Sequence, residues 1–515
     1  MLLDAAEVAK HNTPSSCWVV ISGKVYDVTP YLEHHPGGPA ILAKQGGRDA
    51  TSEFRSVHQP DVLENLPKGS FLGDINPTTL AALAMSSASK PAPATASEVA
   101  YIPPPPPLTP SEEPQASSEP PHIAHIVTAA DFEGAAKAAF SRNVFSYVSS
   151  AANTGFSLSN NLSSWSRVVF RPRVLRNVRT VSPRSAIFGH ATPFPFYISA
   201  MGHLGRAHPD GEVELVRGAA RRGAHVLLST VTTRPFEEVA GALADEQKKL
   251  NLNLGKKPKG SGEEFPPSTM HFQLYVHPDR AVTLSRIQRA KALGFKSIWV
   301  TVDTPILGKR TLDRRTQASE ALEAGLPDAA ELAGFGQRAH VNQQQFEPAL
   351  GWHDIAWIKR EFGGGPLVLK GVQAVEDAVL AARSGVVDGI LLSNHGGRQA
   401  HAAPAALSTL LEIRTHAPEI LGRIEIFVDG GLRDGADVLK ALCLGATAVG
   451  VGRPFFYALG AYGAKGVERC VDLLAEELCG GMRLIGIKTL DEAKPELVNA
   501  RRLLNEVWRP EKSRL

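Results

Sequence analysis

Between residues 195 and 453 eight short apolar runs recur: Pro195 to Ala200, His225 to Thr230, His271 to Val276, Ser297 to Asp303, Pro366 to Gly371, Gly389 to Asn394, Ile424 to Gly431 and Thr447 to Arg453. Segments of helical character, such as Asp279 to Leu293, separate them. Strand and helix in strict alternation require crossover connections and therefore parallel strands. Eight such units within about 330 residues predict a (β/α)8 TIM barrel. An open doubly wound sheet is the rival arrangement, disfavoured because no GxGxxG follows the first run.

Ahead of these runs the composition changes. From Asn76 to Pro121 the chain is dominated by Pro, Ser, Ala and Thr, with five consecutive prolines at 103–107. Such a stretch buries too little apolar surface to offset the cost of ordering its backbone. It reads as a spacer stiffened by polyproline, with a ligand for a proline-binding domain as the alternative. The expected organisation is a small module at 1–75, a linker at 76–121 and a large module at 122–515. Lys plus Arg number 55 against 52 Asp plus Glu, so no field of one sign points to nucleic acid or an anionic membrane as the main partner. Nothing apolar is long enough to span a bilayer. Cys17, Cys443, Cys470 and Cys479 form no CxxC and no metal-ligand spacing, which predicts buried free thiols. The first residues lack the basic character of a cleavable address.

The small module is short for an independent core, so a stabilising cofactor is expected. His35, in His34-His35-Pro36-Gly37-Gly38, and His58, 23 residues later, are candidate ligands. The turn after His35 could aim its imidazole inward, and a second imidazole across the pocket would complete axial ligation of a haem iron. Spacing alone leaves two surface histidines as an equal reading. Trp18 to Ile21, Gly23 to Thr29, Gly47 to Thr51 and Phe54 resemble the cytochrome b5 domain throughout, which implies an α+β fold with His35 and His58 as axial ligands of haem b. With both axial positions filled, the iron would pass electrons and not bind oxygen.

In the large module, polar residues gather where the apolar runs end: Gln273 and Tyr275, Thr301 and Asp303, Lys370, Ser393, His395 and Arg398, Asp429, Gly430, Gly431 and Arg433, Gly452 and Arg453. Barrel enzymes keep their chemistry at that end. In Ser393-Asn394-His395-Gly396-Gly397-Arg398 an imidazole can take a proton near neutral pH and a guanidinium can grip a carboxylate, which points to proton abstraction from a carboxylate-bearing substrate. The glycines and arginines after runs seven and eight suit a phosphate.

These segments, with Gln273-Leu274-Tyr275, Thr301-Val302-Asp303 and Gly452-Arg453-Pro454, resemble the FMN-dependent 2-hydroxy-acid oxidising family. With a haem module in front, the arrangement is similar to the flavocytochrome b2 type of L-lactate:cytochrome c oxidoreductase. The resemblance implies FMN and haem as cofactors, and cytochrome c or a similar electron acceptor as partner. It also implies a homo-oligomer, a tetramer in that family. By it, His395 is the base and Asp303 holds it; Tyr147 and Arg398 bind the substrate carboxylate; Tyr275 bonds the substrate hydroxyl, and Arg310 adds positive charge nearby. Lys370 would stabilise reduced flavin. Ala200, Met201, Ser229, Gln273, Thr301 and Ser393 would face the flavin ring, and Asp429, Gly430, Gly431, Arg433, Gly452 and Arg453 its ribityl phosphate. The sequence departs from the lactate enzymes at Met201, Gly202 and Val231, which puts lactate itself in question, and at Ala400-His401, where a carboxylate is missing.

The reaction implied is oxidation of an L-2-hydroxy acid, lactate or a bulkier analogue, to the 2-oxo acid. Whether His395 takes its proton from Cα or from the hydroxyl as hydride leaves stays open. A peroxide-forming oxidase and a non-catalytic haem and flavin electron carrier are the alternatives. Ser513-Arg514-Leu515 is a variant of the peroxisomal address; the mitochondrial intermembrane space and the cytoplasm are the other expectations.

Overall fold

The computed structural model describes residues 2–32, 35, 39–58, 62–63, 66–67, 69–80, 119–254, 266–323 and 345–508. Pro36 to Gly38, most of the proline-rich segment and the tripeptide at 513–515 lie outside the described residues. Met1–Arg55 with Pro60–Glu119 make up most of one compact unit, and Pro120–Thr316 with Gly336–Leu515 most of another.

In the first unit, Ser16–Ile21 and Lys24–Asp27 pair antiparallel across Ser22-Gly23, whose φ values of 51° and 79° are those of a tight two-residue hairpin turn. Leu2–Leu3, Asn12–Thr13, Arg48–Asp49 and Phe71–Ile75 complete a six-stranded sheet. Alternation along Ser16–Ile21 feeds two cores. Cys17, Val19 and Ile21 join Tyr26, Val28 and Leu32 on one side, and Val20 joins Val8, Val25 and Ile75 on the other. Leu42, Phe54, Leu63 and Leu66 pack against the first core while only partly buried.

In the second unit the eight runs form a closed parallel barrel: β1 (Phe196–Ile198), β2 (His225–Leu228), β3 (Met270–Leu274), β4 (Ile298–Thr301), β5 (Leu367–Val372), β6 (Gly389–Leu392), β7 (Glu425–Asp429) and β8 (Ala448–Val451). Pairing of Phe196–Ile198 with Val449–Val451 shuts the ring and excludes the open sheet. Most strands are shorter than the runs that announced them, because a run's last residues leave the ladder and turn into the loop above. A hairpin, Ser185–Ile187 with His190–Thr192, places Ile187 beneath the interior cluster of Tyr197, Leu227, Trp299, Val368, Leu391, Phe427 and Ala448. Cys17, Cys443 and Cys470 are buried and unpaired, with burial pushing the Cys17 and Cys443 thiols up to about 12; Cys479 is less buried than expected.

The buried start of β2 and β3 holds two neutral imidazoles. His225 Nδ1 accepts from Thr269 N at 2.9 Å. Trp299 Nε1 donates to Ser297 Oγ at 2.7 Å, and Ser297 Oγ lies 2.6 Å from His271 Nδ1. Burial pushes His225 down to about 4 and holds His271 well below the ordinary imidazole value. The unfolded chain therefore takes up these protons first, and stability present above about pH 6.5 is lost as pH falls toward 4. For His225 alone the loss reaches roughly 3 kcal/mol. We expect urea midpoints to fall between pH 7 and 4.5, and to fall less steeply in His225→Asn or His271→Asn; equal slopes in all three proteins would contradict the assignment.

Candidate active site

Side chains of a strand alternate between faces, so the residues two positions beyond the apolar interior tier also point inward, one layer nearer the carboxyl ends. Apart from Gly450 they are polar: Ser199, Ser229, Thr301, Lys370, Ser393 and Asp429, with Gln273 two beyond His271. Gln273 knits three strands together. Its Oε1 accepts from Ser229 Oγ at 3.1 Å and its Nε2 donates to Thr301 Oγ1 at 2.8 Å. Several groups in this tier are left for a ligand. Ser199 Oγ and Asp429 Oδ1 are buried without a hydrogen-bond partner, and Lys370, 5% exposed, forms no ion pair among the described residues. Burial raises the Asp429 carboxyl, against the pull of Lys370.

Above β7, Gly430 and Gly431 have φ of 94° and 80°, and a Cβ on Gly431 would lie 2.2 Å from Asn161 O. Only glycine permits that approach. Gly452 precedes the long helix α4 (Arg453–Ile485), whose first N–H groups face the same end of the barrel. Unpartnered buried polar atoms, a buried lysine outside any described ion pair and a glycine cradle beside a helix start fit a flat polar ring carrying a phosphate tail.

His395, Asp303 and Tyr275 meet above this tier. His395 Nδ1 lies 2.9 Å from Asp303 Oδ1. A carboxylate only accepts, so Nδ1 carries the proton and Nε2 is the free lone pair, 3.3 Å from Tyr275 Oη. His395 has φ of 61°, uncommon for a residue with a side chain, and Gly396 and Gly397 follow at 64° and 78°. Ser393 Oγ holds the turn by accepting from His395 N at 3.0 Å. Burial pushes His395 down to about 4, against the pull of Asp303. Burial alone would raise Asp303, but His395, Lys370 and its hydrogen bonds hold it at about 2. The pair at neutral pH is thus an ionised carboxylate and a neutral imidazole. Burial keeps Tyr275 protonated.

Arg398 and Arg453 are oriented by the end of helix α1 (Arg142–Ser149). Arg398 Nη1 donates to Tyr147 O at 2.7 Å and to Val148 O and Ser150 O at 3.2 Å. Arg453 donates to Val148 O, Gly396 O and Ser150 O at 2.9, 2.9 and 3.0 Å, so three of its N–H groups are committed to the backbone. Burial, reinforced by Arg310, pushes Arg398 down to about 9 and leaves it a cation. Arg310 Nε is buried and unpartnered. Arg433 Nη1 donates to the neighbouring Leu432 O.

Three contributors had no signal in the sequence. Thr304 Oγ1 donates to Asp303 Oδ1 at 2.9 Å. Gln399 Nε2 donates to Asp303 O and Ile306 O at 3.0 and 2.8 Å while its Oε1 accepts from Gly308 N, clamping the Asp303 loop to the Arg398 loop. Asn161 and Asn394 exchange amide hydrogen bonds at 2.7 and 2.8 Å from helix α2 (Phe156–Ser166). At the departures, a Cβ on Gly202 would lie 3.3 Å from Val231 O and 3.5 Å from Val231 Cβ, so Val231 occupies part of the space that Gly202 opens. Met201 is partly buried against the core, and Ala200 against the barrel interior. His401 is exposed, edge-on to Phe156. His35 and His58 are each partly buried, and in the first unit Leu42, Phe54, Leu63 and Leu66 are apolar side chains only partly buried against the core.

Residues 136–500 match the FMN-dependent dehydrogenase family, and residues 4–76 the cytochrome b5-like heme/steroid binding domain. The chain belongs to the FMN-dependent dehydrogenase family. Its cofactors are FMN in the barrel and haem in the amino-terminal domain. It is 34% identical to the L-lactate dehydrogenase (cytochrome) of Wickerhamomyces anomalus over 97% of this chain and 80% of that protein. It is also 34% identical to human 2-hydroxyacid oxidase 1, over 70% of this chain and 94% of that one. The flavin-binding domain of baker's yeast flavocytochrome b2 superposes with a TM-score of 0.64 at 33% identity, covering 76% of this chain and 91% of that domain. Among the described residues no helix is long and apolar enough to cross a membrane.

Because the folded pKa of His395 is depressed, the neutral base is present at neutral pH and is lost only as pH falls through the region of about 4. We expect the acid limb of flavin reduction, measured by rapid mixing, to lie well below pH 6.5. Asp303→Asn removes the charge that raises the imidazole, so the limb moves lower still while the plateau rate falls. A limb at or above pH 6.5 would mean that the imidazole is not desolvated as drawn.

Proposed function

We propose that the chain oxidises L-2-hydroxy acids to 2-oxo acids in the barrel and passes the electrons through the haem of its amino-terminal domain to an external carrier such as cytochrome c. The observation that carries this reading is the neutral His395, with its unprotonated Nε2 beside Tyr275 and its Nδ1–H on a buried carboxylate, above the polar layer that holds Lys370. Arg398, with Nε and Nη2 free of described partners, anchors the substrate carboxylate with Tyr147. Tyr275 Oη bonds the substrate hydroxyl, and His395 Nε2 accepts the proton released as the C–H bond is broken. Asp303 stabilises the imidazolium so formed. Ser229, Gln273, Thr301, Lys370 and the glycines that follow β7 would hold FMN, which would supply the two-electron acceptor. His35 and His58 would hold the haem iron, which would supply one-electron transfer to the external carrier.

A dehydrogenase is favoured over a peroxide-forming oxidase because a matched haem domain with two histidines stands ahead of the barrel. Adding 2-hydroxy acids anaerobically to the purified holoprotein should bleach the flavin and then develop reduced haem bands. His395→Gln should keep both cofactors and lose roughly 10²–10⁴-fold in flavin reduction, more than Asp303→Asn loses. An unchanged rate would remove His395 as the base. His58→Ala should leave flavin reduction by substrate intact and abolish fast cytochrome c reduction; retained cytochrome c reduction would show that the haem is dispensable.

A further inference from the structure

Arg206 carries a charge that nothing described around it neutralises. It closes the short turn Leu204–Arg206 after β1, and that turn is bolted in place. Leu204 N donates to Glu212 Oε1 at 3.3 Å and Gly205 N to Thr233 Oγ1 at 2.9 Å. Glu212, fully buried at the start of helix α3 (Gly211–Arg221), also accepts from Thr233 N, Thr233 Oγ1 and Arg234 N at 3.0, 2.6 and 3.1 Å. A Cβ on Gly211 would stand 2.9 Å from Thr233 Oγ1, so the two loops meet without slack. The backbone that carries Arg206 is therefore fixed.

The guanidinium carbon of Arg206 lies 4.6 Å from the Tyr147 ring centroid, and that of Arg398 lies 5.1 Å from the same centroid. The two are thus within about 10 Å of each other by those distances. Arg206 Nε is buried and has no hydrogen-bond partner, and among the described residues no carboxylate or carbonyl pairs with its guanidinium. Arg398 has three carbonyls to orient it; Arg206 has only an aromatic face. Contact with a ring satisfies a guanidinium less well than charge-assisted hydrogen bonds to an anion.

We propose that Arg206 is a second carboxylate site of the substrate pocket, and that the chain prefers 2-hydroxydicarboxylic acids of four or five carbons over monocarboxylic acids of the same length. This rests on the reading of the barrel as a 2-hydroxy-acid dehydrogenase. Arg398 would take the carboxylate next to the reacting carbon and Arg206 the distal one, with Tyr147 between them.

The test uses the full-length holoprotein, mixed anaerobically with lactate, 2-hydroxybutyrate, malate and 2-hydroxyglutarate while flavin bleaching is followed. kcat/KM for the dicarboxylates should exceed that for 2-hydroxybutyrate by about tenfold or more, as charge-assisted pairing implies, and the excess should shrink as ionic strength rises. Arg206→Gln should abolish the excess chiefly through KM, and Arg206→Lys should restore part of it. Failure of every 2-hydroxy acid to bleach the flavin would overturn the reading of the reaction. Bleaching that is equal or faster with 2-hydroxybutyrate would overturn the distal site alone. So would an Arg206→Gln variant that loses all substrates in equal proportion, or whose defect is confined to electron transfer after flavin reduction. Should Arg206→Gln not fold, the preference of the wild-type protein and its salt dependence still decide the matter.

Discussion

Because successive side chains of a strand face opposite ways, each residue packed into the barrel interior settles the direction of the residue two places on. Tyr197, Leu227, Trp299, Val368, Leu391, Phe427 and Ala448 fill one tier from seven strands. That tier turns Ser199, Ser229, Thr301, Lys370, Ser393, Asp429 and Gly450 toward the axis one step higher, and closure of the ring brings them together. Gly450 shows how tight the upper tier is, since a Cβ there would stand 2.4 Å from Ser199 Oγ. The apolar layer thus holds the polar groups dry and in register, and every later feature of the site depends on it.

Dryness then sets the chemistry. Taking His395 out of water disfavours the imidazolium more than Asp303 favours it, so the base rests neutral. The carboxylate survives burial because His395, the Lys370 ammonium and the hydrogen bonds from His395 and Thr304 compensate it. The same pair that keeps the resting imidazole uncharged is in place to stabilise its charge once a proton arrives. A more exposed histidine would protonate nearer neutrality and lose catalytic base to bulk acid.

The sequence made the barrel legible because apolar runs at regular spacing report the interior directly. The site was legible where functional groups end those runs, as with Lys370, Asp303 and His395. What stayed hidden depends on segments far apart in the chain. Gln399 bonds Asp303 and Ile306 across 96 and 93 residues, and Asn161 reaches Asn394 across 233. Nothing local marks either residue as a clamp. Glu212 reads as an ordinary helix-surface carboxylate, yet it is fully buried because four loop donors converge on it. Arg453 looks from its position like a phosphate ligand, and the structure gives three of its donors to backbone carbonyls as well.

The use of carbonyls in place of carboxylates to hold these arginines has a physical consequence. A carboxylate partner would orient a guanidinium and cancel its charge together, leaving little to attract an anionic substrate. The carbonyls of Tyr147, Val148 and Ser150, at the negative end of helix α1, orient Arg398 through partial charges only. Its full positive charge is retained, and the burial and then the neighbouring Arg310 that lower its pKa raise what the site gains when a carboxylate enters. Tyr147 serves twice in this arrangement, its carbonyl fixing Arg398 and its ring lying against that guanidinium. The pocket is therefore organised around cations held in place but not neutralised by the protein, and the ligand that completes it must bring the negative charge itself.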